Sequence, residues 1–148
     1  MSKYVIVIPL DGSKLAEAVL PAAKSIAQAR HGELVLARIA PSLSFKEIIP
    51  PDELEELLVR YKQDCQDYLD SIAKPIQSEG IVVNTLLASG DQTADQILEV
   101  ANFSHANLIA MSTHGHSGLQ RLMIGSIADK IVHRATVPVL LVRPDTED

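Results

Sequence analysis

Apolar residues follow two alternating rhythms along this chain. Tyr4 to Pro9 is a β-branched run cut off by Asp11 and Gly12, which reads as a buried strand. Ser13 then stands where a helix cap belongs, before Leu15, Ala18, Val19, Ala22, Ile26 and Ala29 at helical spacing. Pro21 lies inside that pattern and predicts a kink, and Gly32 closes it. Glu33 to Ile39 reads as a second strand. Ala40 to Pro51, with Pro41, Pro50 and Pro51, has little periodicity and reads as a loop.

Asp52 with Glu55 forms a capping-box pattern for a long helix. Its apolar stripe is Leu54, Leu58, Tyr61, Cys65, Tyr68 or Leu69, and Ile72, with both tyrosines expected in the core. Pro75 predicts a kink or an end, and Gly80 terminates the segment. Further elements follow at Ile81 to Leu87 (strand), Thr93 to about Ser104 (helix), Leu108 to Met111 (strand), Ser126 to Arg134 (helix) and Val139 to Val142 (strand). Five strands alternating with four helices predict an α/β fold: a single doubly wound domain over residues 1–148, with a five-stranded parallel sheet, helices on both faces and strand order 3-2-1-4-5.

Composition narrows the chemistry. An aromatic fraction of 3% with no Trp gives a core of aliphatic side chains, as buried parallel strands require. The net charge of −6 argues against non-specific binding to nucleic acid or to an anionic membrane. It also means that a bound phosphate needs local compensation from amides, a basic side chain or a divalent cation. No apolar stretch is long enough to insert into a bilayer, and the single cysteine, Cys65, fits a reducing, cytoplasmic setting.

In an open α/β sheet the ligand crevice lies beyond the carboxyl ends of the strands where strand order reverses. The loops after the first and fourth strands, Pro9 to Gly12 and Ser112 to Gly115, should therefore face one another. Gly115 and Gly118 permit close backbone approach, and Gly125 with Ser126 opens a helix whose spare amides favour an anion. Other patterns carry less. His114 and His116 flank Gly115 without the cysteines or carboxylates of a metal site. Gly115-His116-Ser117-Gly118 is one residue short of a nucleophile elbow, and no Walker A spacing occurs. Arg121, Lys130, His133 and Arg134 read as a solvated basic face.

The run Ser112-Thr113-His114-Gly115-His116-Ser117-Gly118-Leu119-Gln120-Arg121-Leu122-Met123-Ile124-Gly125-Ser126, with Val137-Pro138-Val139-Leu140-Leu141-Val142, resembles the C-terminal signature of the universal stress protein family. Val7-Ile8-Pro9-Leu10-Asp11-Gly12-Ser13 and Ala106-Asn107-Leu108-Ile109-Ala110-Met111 are similar to it as well, so the resemblance spans nearly the whole chain. Nucleotide-binding members carry Gly, two residues, Gly, nine residues, then Gly and Ser or Thr. Gly115, Gly125 and Ser126 keep that spacing, whereas Ser112 stands in the first glycine's place.

The resemblance implies that Asp11 contacts the nucleoside, that Ile39 lies against the adenine, and that Gly115, Gly125 and Ser126 hold phosphates. Pro9, Ser112, His114 and Ile127 complete the set of expected contacts. The expected ligand is ATP or AMP, with Mg²⁺ as a possible companion. The expected role is that of a regulator acting through an unidentified protein partner, with at most slow ATP hydrolysis. A nucleotide-free interaction module and an adenine-nucleotide α-hydrolase remain alternatives. Self-pairing of the apolar strand Val139 to Val142, flanked by Pro138 and Pro144, predicts a homodimer.

Overall fold

Each of the central strands is apolar on both sides, and that property sets the architecture. The computed structural model describes residues 2–40, 49–115 and 124–145. The strands are β1 (Val5–Pro9), β2 (Glu33–Ala40), β3 (Val82–Ser89), β4 (Leu108–Ser112) and β5 (Val139–Val142). They form one sheet in the order β3-β2-β1-β4-β5, and every pairing is parallel, as the sequence predicts.

Parallel neighbours need crossovers, and these place helices on both faces. Ile6 and Ile8 of β1 pack with Ala23 and Ala27 of α1 (Leu20–Arg30) and with Leu69 and Ala73 of α2 (Pro51–Ser78). Val5 and Val7 point the other way, towards Ala94 and Ile97 of α3 (Thr93–Phe103) and Ile131 of α4 (Ser126–Arg134). None of the helices among the described residues is long and apolar enough to cross a membrane.

Prolines shape the first two helices differently from the sequence reading. Pro21 does not kink a helix begun at Ser13. The chain after Asp11 makes a turn and a short 3-10 segment, Ala16–Val19, and α1 then opens at Leu20 with Pro21 in its first turn. A residue without an N–H costs nothing there, because first-turn amides have no intrahelical acceptor. Likewise α2 begins at Pro51, with Pro50 at the cap and Asp52 already inside the first turn, where its charge suits the helix dipole but caps nothing. Pro75 does not end α2, which runs on to Ser78.

Length governs how α2 packs. Its 28 residues span about 42 Å, against about 26 Å for the eight residues of β2 beside it. The buried stripe accordingly starts only at Cys65 and continues through Leu69, Ala73 and Ile76. Leu54, Leu58 and Tyr61, expected in the core, are only partly buried, and Leu57 and Val59 are 44% and 64% exposed.

Tyr68 has a polar task in addition to its packing. Its hydroxyl donates to Glu17 Oε2 at 2.9 Å, and the Arg38 guanidinium lies 5.2 Å from its ring centroid. Burial and the neighbouring Glu17 carboxylate push the phenol far above its ordinary pKa near 10. A raised pKa in the folded state means stability that is complete below the unfolded value and lost as pH climbs past it. A spectrophotometric alkaline titration should therefore show one late phenolate component among the three tyrosines, absent from Tyr68→Phe. Loss of the hydroxyl bond should also lower stability by about 1 kcal/mol in urea unfolding.

Candidate functional site

Strand β1 ends in a turn that its own side chains hold. Asp11 Oδ1 accepts the Ser13 amide at 2.9 Å and the Ser13 hydroxyl at 2.6 Å, while Ser13 Oγ accepts the Ala16 amide at 3.2 Å. Gly12 has φ +89°, a conformation that favours glycine, and a Cβ there would sit 2.9 Å from Arg38 Nη1. Arg38 thus supports the turn from beneath, with Tyr68 stacked behind it. On the far side the Asp11 carboxylate fills the space that a Cβ on Gly115 would need.

The end of β4 is tied in three directions. The Thr113 amide donates to the Val142 carbonyl at 2.9 Å, and the Gly125 amide donates to the Thr113 carbonyl at 2.8 Å. Ser112 Oγ accepts the His114 amide at 3.3 Å, so a side-chain turn closes β4 much as Asp11 closes β1. Thr113 Oγ1 lies 2.7 Å from His114 Nδ1. His114 is buried, and its Nε2 has no hydrogen-bond partner among the described residues.

Between the two loops lies a cleft of about 370 Å³, within the size range of small-molecule sites. Pro9, Asp11, Ile39 and Ser112 line one part of it; His114, Gly115, Gly125, Ser126 and Ile127 line the other. All nine positions singled out in the sequence therefore share one cavity, although they come from four separate stretches of chain. Gly118, His116, Ser117 and Arg121 lie outside the described residues, as do positions 41–48 of the expected loop. Arg134, part of the supposed basic face, is paired with Asp95 at 2.6 Å.

Sequence reasoning passed over several lining residues. Thr93 and Ile97 come from α3, and Met111 and Ala128 add apolar surface beside Ile39. Helical spacing marks Ile97 and Ala128 as core, and nothing in the local pattern tells a core position from the wall of a cleft. The signal available was topological, since α3 and α4 cover the face of the sheet towards which Ile39 points.

The cleft's polar end is the start of α4. The first intrahelical bond runs from the Asp129 amide to the Gly125 carbonyl, leaving the amides of Ser126, Ile127 and Ala128 without a partner among the described residues. The Gly115 amide likewise has no partner among the described residues. With the Ser126 hydroxyl, these groups form a cradle for an anion, favoured further by the helix dipole. A Cβ at Gly125 would lie 3.0 Å from the Thr113 carbonyl oxygen, so glycine is what lets the helix start this close to the β4 loop. An anionic group fits these residues, and the apolar wall of Ile39, Ile97 and Met111 fits a flat hydrophobic ring.

A parallel sheet ordered 3-2-1-4-5, with a cleft at its switch point, defines a doubly wound α/β domain. The sequence profile of the universal stress protein family matches residues 4–143, and the chain belongs to that family. Universal stress protein MJ0531 of Methanocaldococcus jannaschii is 30% identical over 138 residues, 93% of this chain and 81% of the relative. Among solved structures, MJ0577 superposes with a TM-score of 0.85 at 21% identity, covering 99% of this chain and all of the other.

Two further neighbours were solved with nucleotides. The universal stress protein of Archaeoglobus fulgidus in complex with dAMP has a TM-score of 0.65 at 20% identity, covering 95% of this chain and 97% of that one. A family member from Arabidopsis thaliana with AMP bound has a TM-score of 0.69 at 14% identity, covering 97% and 93%. At these identities the likeness is one of fold.

Proposed function

We propose that this protein is an adenine-nucleotide-binding regulator of the stress response, a single domain over residues 1–148 that acts in the cytoplasm through nucleotide-dependent contact with a protein partner. The observation that carries this reading is the convergence of the spare α4 amides, the Ser126 hydroxyl and an apolar wall in one cleft. In this reading Ile39 lies against the adenine, Asp11 meets the ribose, and Gly115, Gly125 and Ser126 hold phosphate. Pro9, Ser112, His114 and Ile127 form the remaining contacts. The AMP and dAMP complexes of structural neighbours support adenine as the base. The protein is a binder rather than a committed catalyst.

The same reading makes it a homodimer through β5, whose outer edge has no strand beside it among the described residues. Mass spectrometry of small molecules released from the purified protein, followed by thermal unfolding with added AMP or ATP, tests the nucleotide assignment. A ligand held at a hundred times its Kd should raise stability by about 2.7 kcal/mol. No released nucleotide and no shift at millimolar AMP or ATP would reject the assignment.

A further inference from the structure

Beneath the Asp11 turn, side chains from three parts of the chain close a circuit. The Arg38 guanidinium lies against Gly12, where an added Cβ would stand 2.9 Å from Nη1 and 3.3 Å from Cζ. The same guanidinium is 5.2 Å from the centroid of the Tyr68 ring on α2, and the Tyr68 hydroxyl donates to Glu17 Oε2 at 2.9 Å. Glu17 belongs to the 3-10 segment into which the Asp11 turn leads, so the circuit returns to its start.

Alternation along β2 puts Arg38 there. Ile39 faces the cleft, so the residue before it faces the other side of the sheet, where Tyr68 packs. Asp11 and Ala16 line the cleft, and Arg38, Tyr68 and Glu17 stand behind them. The upper side of the turn is held by the bonds from the Ser13 amide and hydroxyl to Asp11 Oδ1. Its lower side is closed by the guanidinium, which fills the space under Gly12 at φ +89°. Glycine has many other conformations open to it, and the guanidinium narrows them to the one that aims Asp11 at the cleft. Asp11, Glu17 and Arg38 all act on the charge of the Tyr68 phenol, so the cation also lies in the field of both carboxylates.

We propose that Arg38 is a positioning residue for the nucleoside end of the cleft. By bracing Gly12 against Tyr68 it sets where the Asp11 carboxylate meets the ribose, and so how strongly the site selects a sugar with free hydroxyls. This rests on reading the cleft as an adenine-nucleotide site with Asp11 at the ribose.

Titration calorimetry of the full chain with AMP and with dideoxy-AMP, whose sugar lacks both hydroxyls, tests it. The parent should bind AMP about tenfold or more tightly than dideoxy-AMP, the worth of one hydrogen bond to a charged group. Arg38→Met keeps the aliphatic stem and removes the guanidinium. It should weaken AMP while dideoxy-AMP stays within about twofold of its parent affinity, narrowing the ratio about threefold or more. Arg38→Lys keeps the charge without the flat fork and should fall between the two. A merely structural role would weaken both ligands alike, so an unchanged ratio in folded Arg38→Met would overturn the proposal. A parent that binds the two ligands equally would overturn it as well, while leaving a nucleotide site in place. Failure of AMP to bind the parent would reject the nucleotide reading itself. Should the methionine variant not fold, the lysine variant decides, since it too must narrow the ratio.

Discussion

Replacing Gly125 by valine is expected to weaken adenine-nucleotide binding by at least about a hundredfold, because two charge-assisted hydrogen bonds at roughly 1.5 kcal/mol each already exceed that factor. Gly125 does not need glycine for its conformation: φ −62° and ψ 158° suit any residue. It needs glycine for proximity. Its amide bonds the Thr113 carbonyl at 2.8 Å, and a Cβ would stand 3.0 Å from the same oxygen. Valine must push the start of α4 away from the β4 loop, moving the amides of Ser126, Ile127 and Ala128 together.

The cost to folding should be smaller, about 1–3 kcal/mol for one overpacked site, against a typical total of 5–15 kcal/mol. Calorimetry for binding, alongside thermal unfolding for stability, separates the two effects, and Gly125→Ala should fall between parent and valine in both. Binding by Gly125→Val equal to that of the parent would show that the cradle at α4 is not the site.

A second large effect is expected at the sheet edge, where Leu141→Pro should turn a dimer into a monomer at micromolar concentration. The Ile109 amide bonds the Pro138 carbonyl at 3.0 Å and the Thr113 amide bonds the Val142 carbonyl at 2.9 Å. In a parallel ladder such bonds fall on alternate residues, so Pro138, Leu140 and Val142 address β4. Val139 and Leu141 therefore turn their N–H and C=O groups outward, to the free edge. Proline at 141 removes one outward donor and no bond to β4, which leaves the fold of the subunit intact.

Antiparallel pairing of β5 with its copy would use those outward groups about a two-fold axis, and the flanking Pro138 and Pro144 would limit it to a short register. Light scattering reports the assembly state. A parent protein that is monomeric under the same conditions would sink the dimer, and a dimeric, folded Leu141→Pro would move the interface elsewhere.

Much of the fold was legible because it is written in neighbours. Runs such as Val5 to Ile8 and Leu108 to Met111 declare buried strands, Gly and Pro punctuate them, and the alternation of strand with helix allows few topologies. The order 3-2-1-4-5 then brings the Asp11 and Gly115 loops together, as the rule of the switch point predicts, and the nine positions suggested by the family resemblance line the cleft between them. Where reading by neighbours failed, the cause was a fact about distance in space. Leu54, Leu58 and Tyr61 have core periodicity, yet α2 outruns the strand it covers, and no pattern within a helix records the length of a strand.

Residue type and short-range spacing suffice for the succession of elements, the aliphatic core and the family. Three contacts emerge only in three dimensions: the Asp11 carboxylate occupies the place of a Gly115 Cβ, Gly125 brings the start of α4 close to the Thr113 carbonyl, and the Ser112 hydroxyl accepts the His114 amide. The first two join residues far apart in the chain, and the third depends on a rotamer chosen inside a buried loop. Contacts of that kind are set by how the sheet closes over its crevice, which no local pattern encodes.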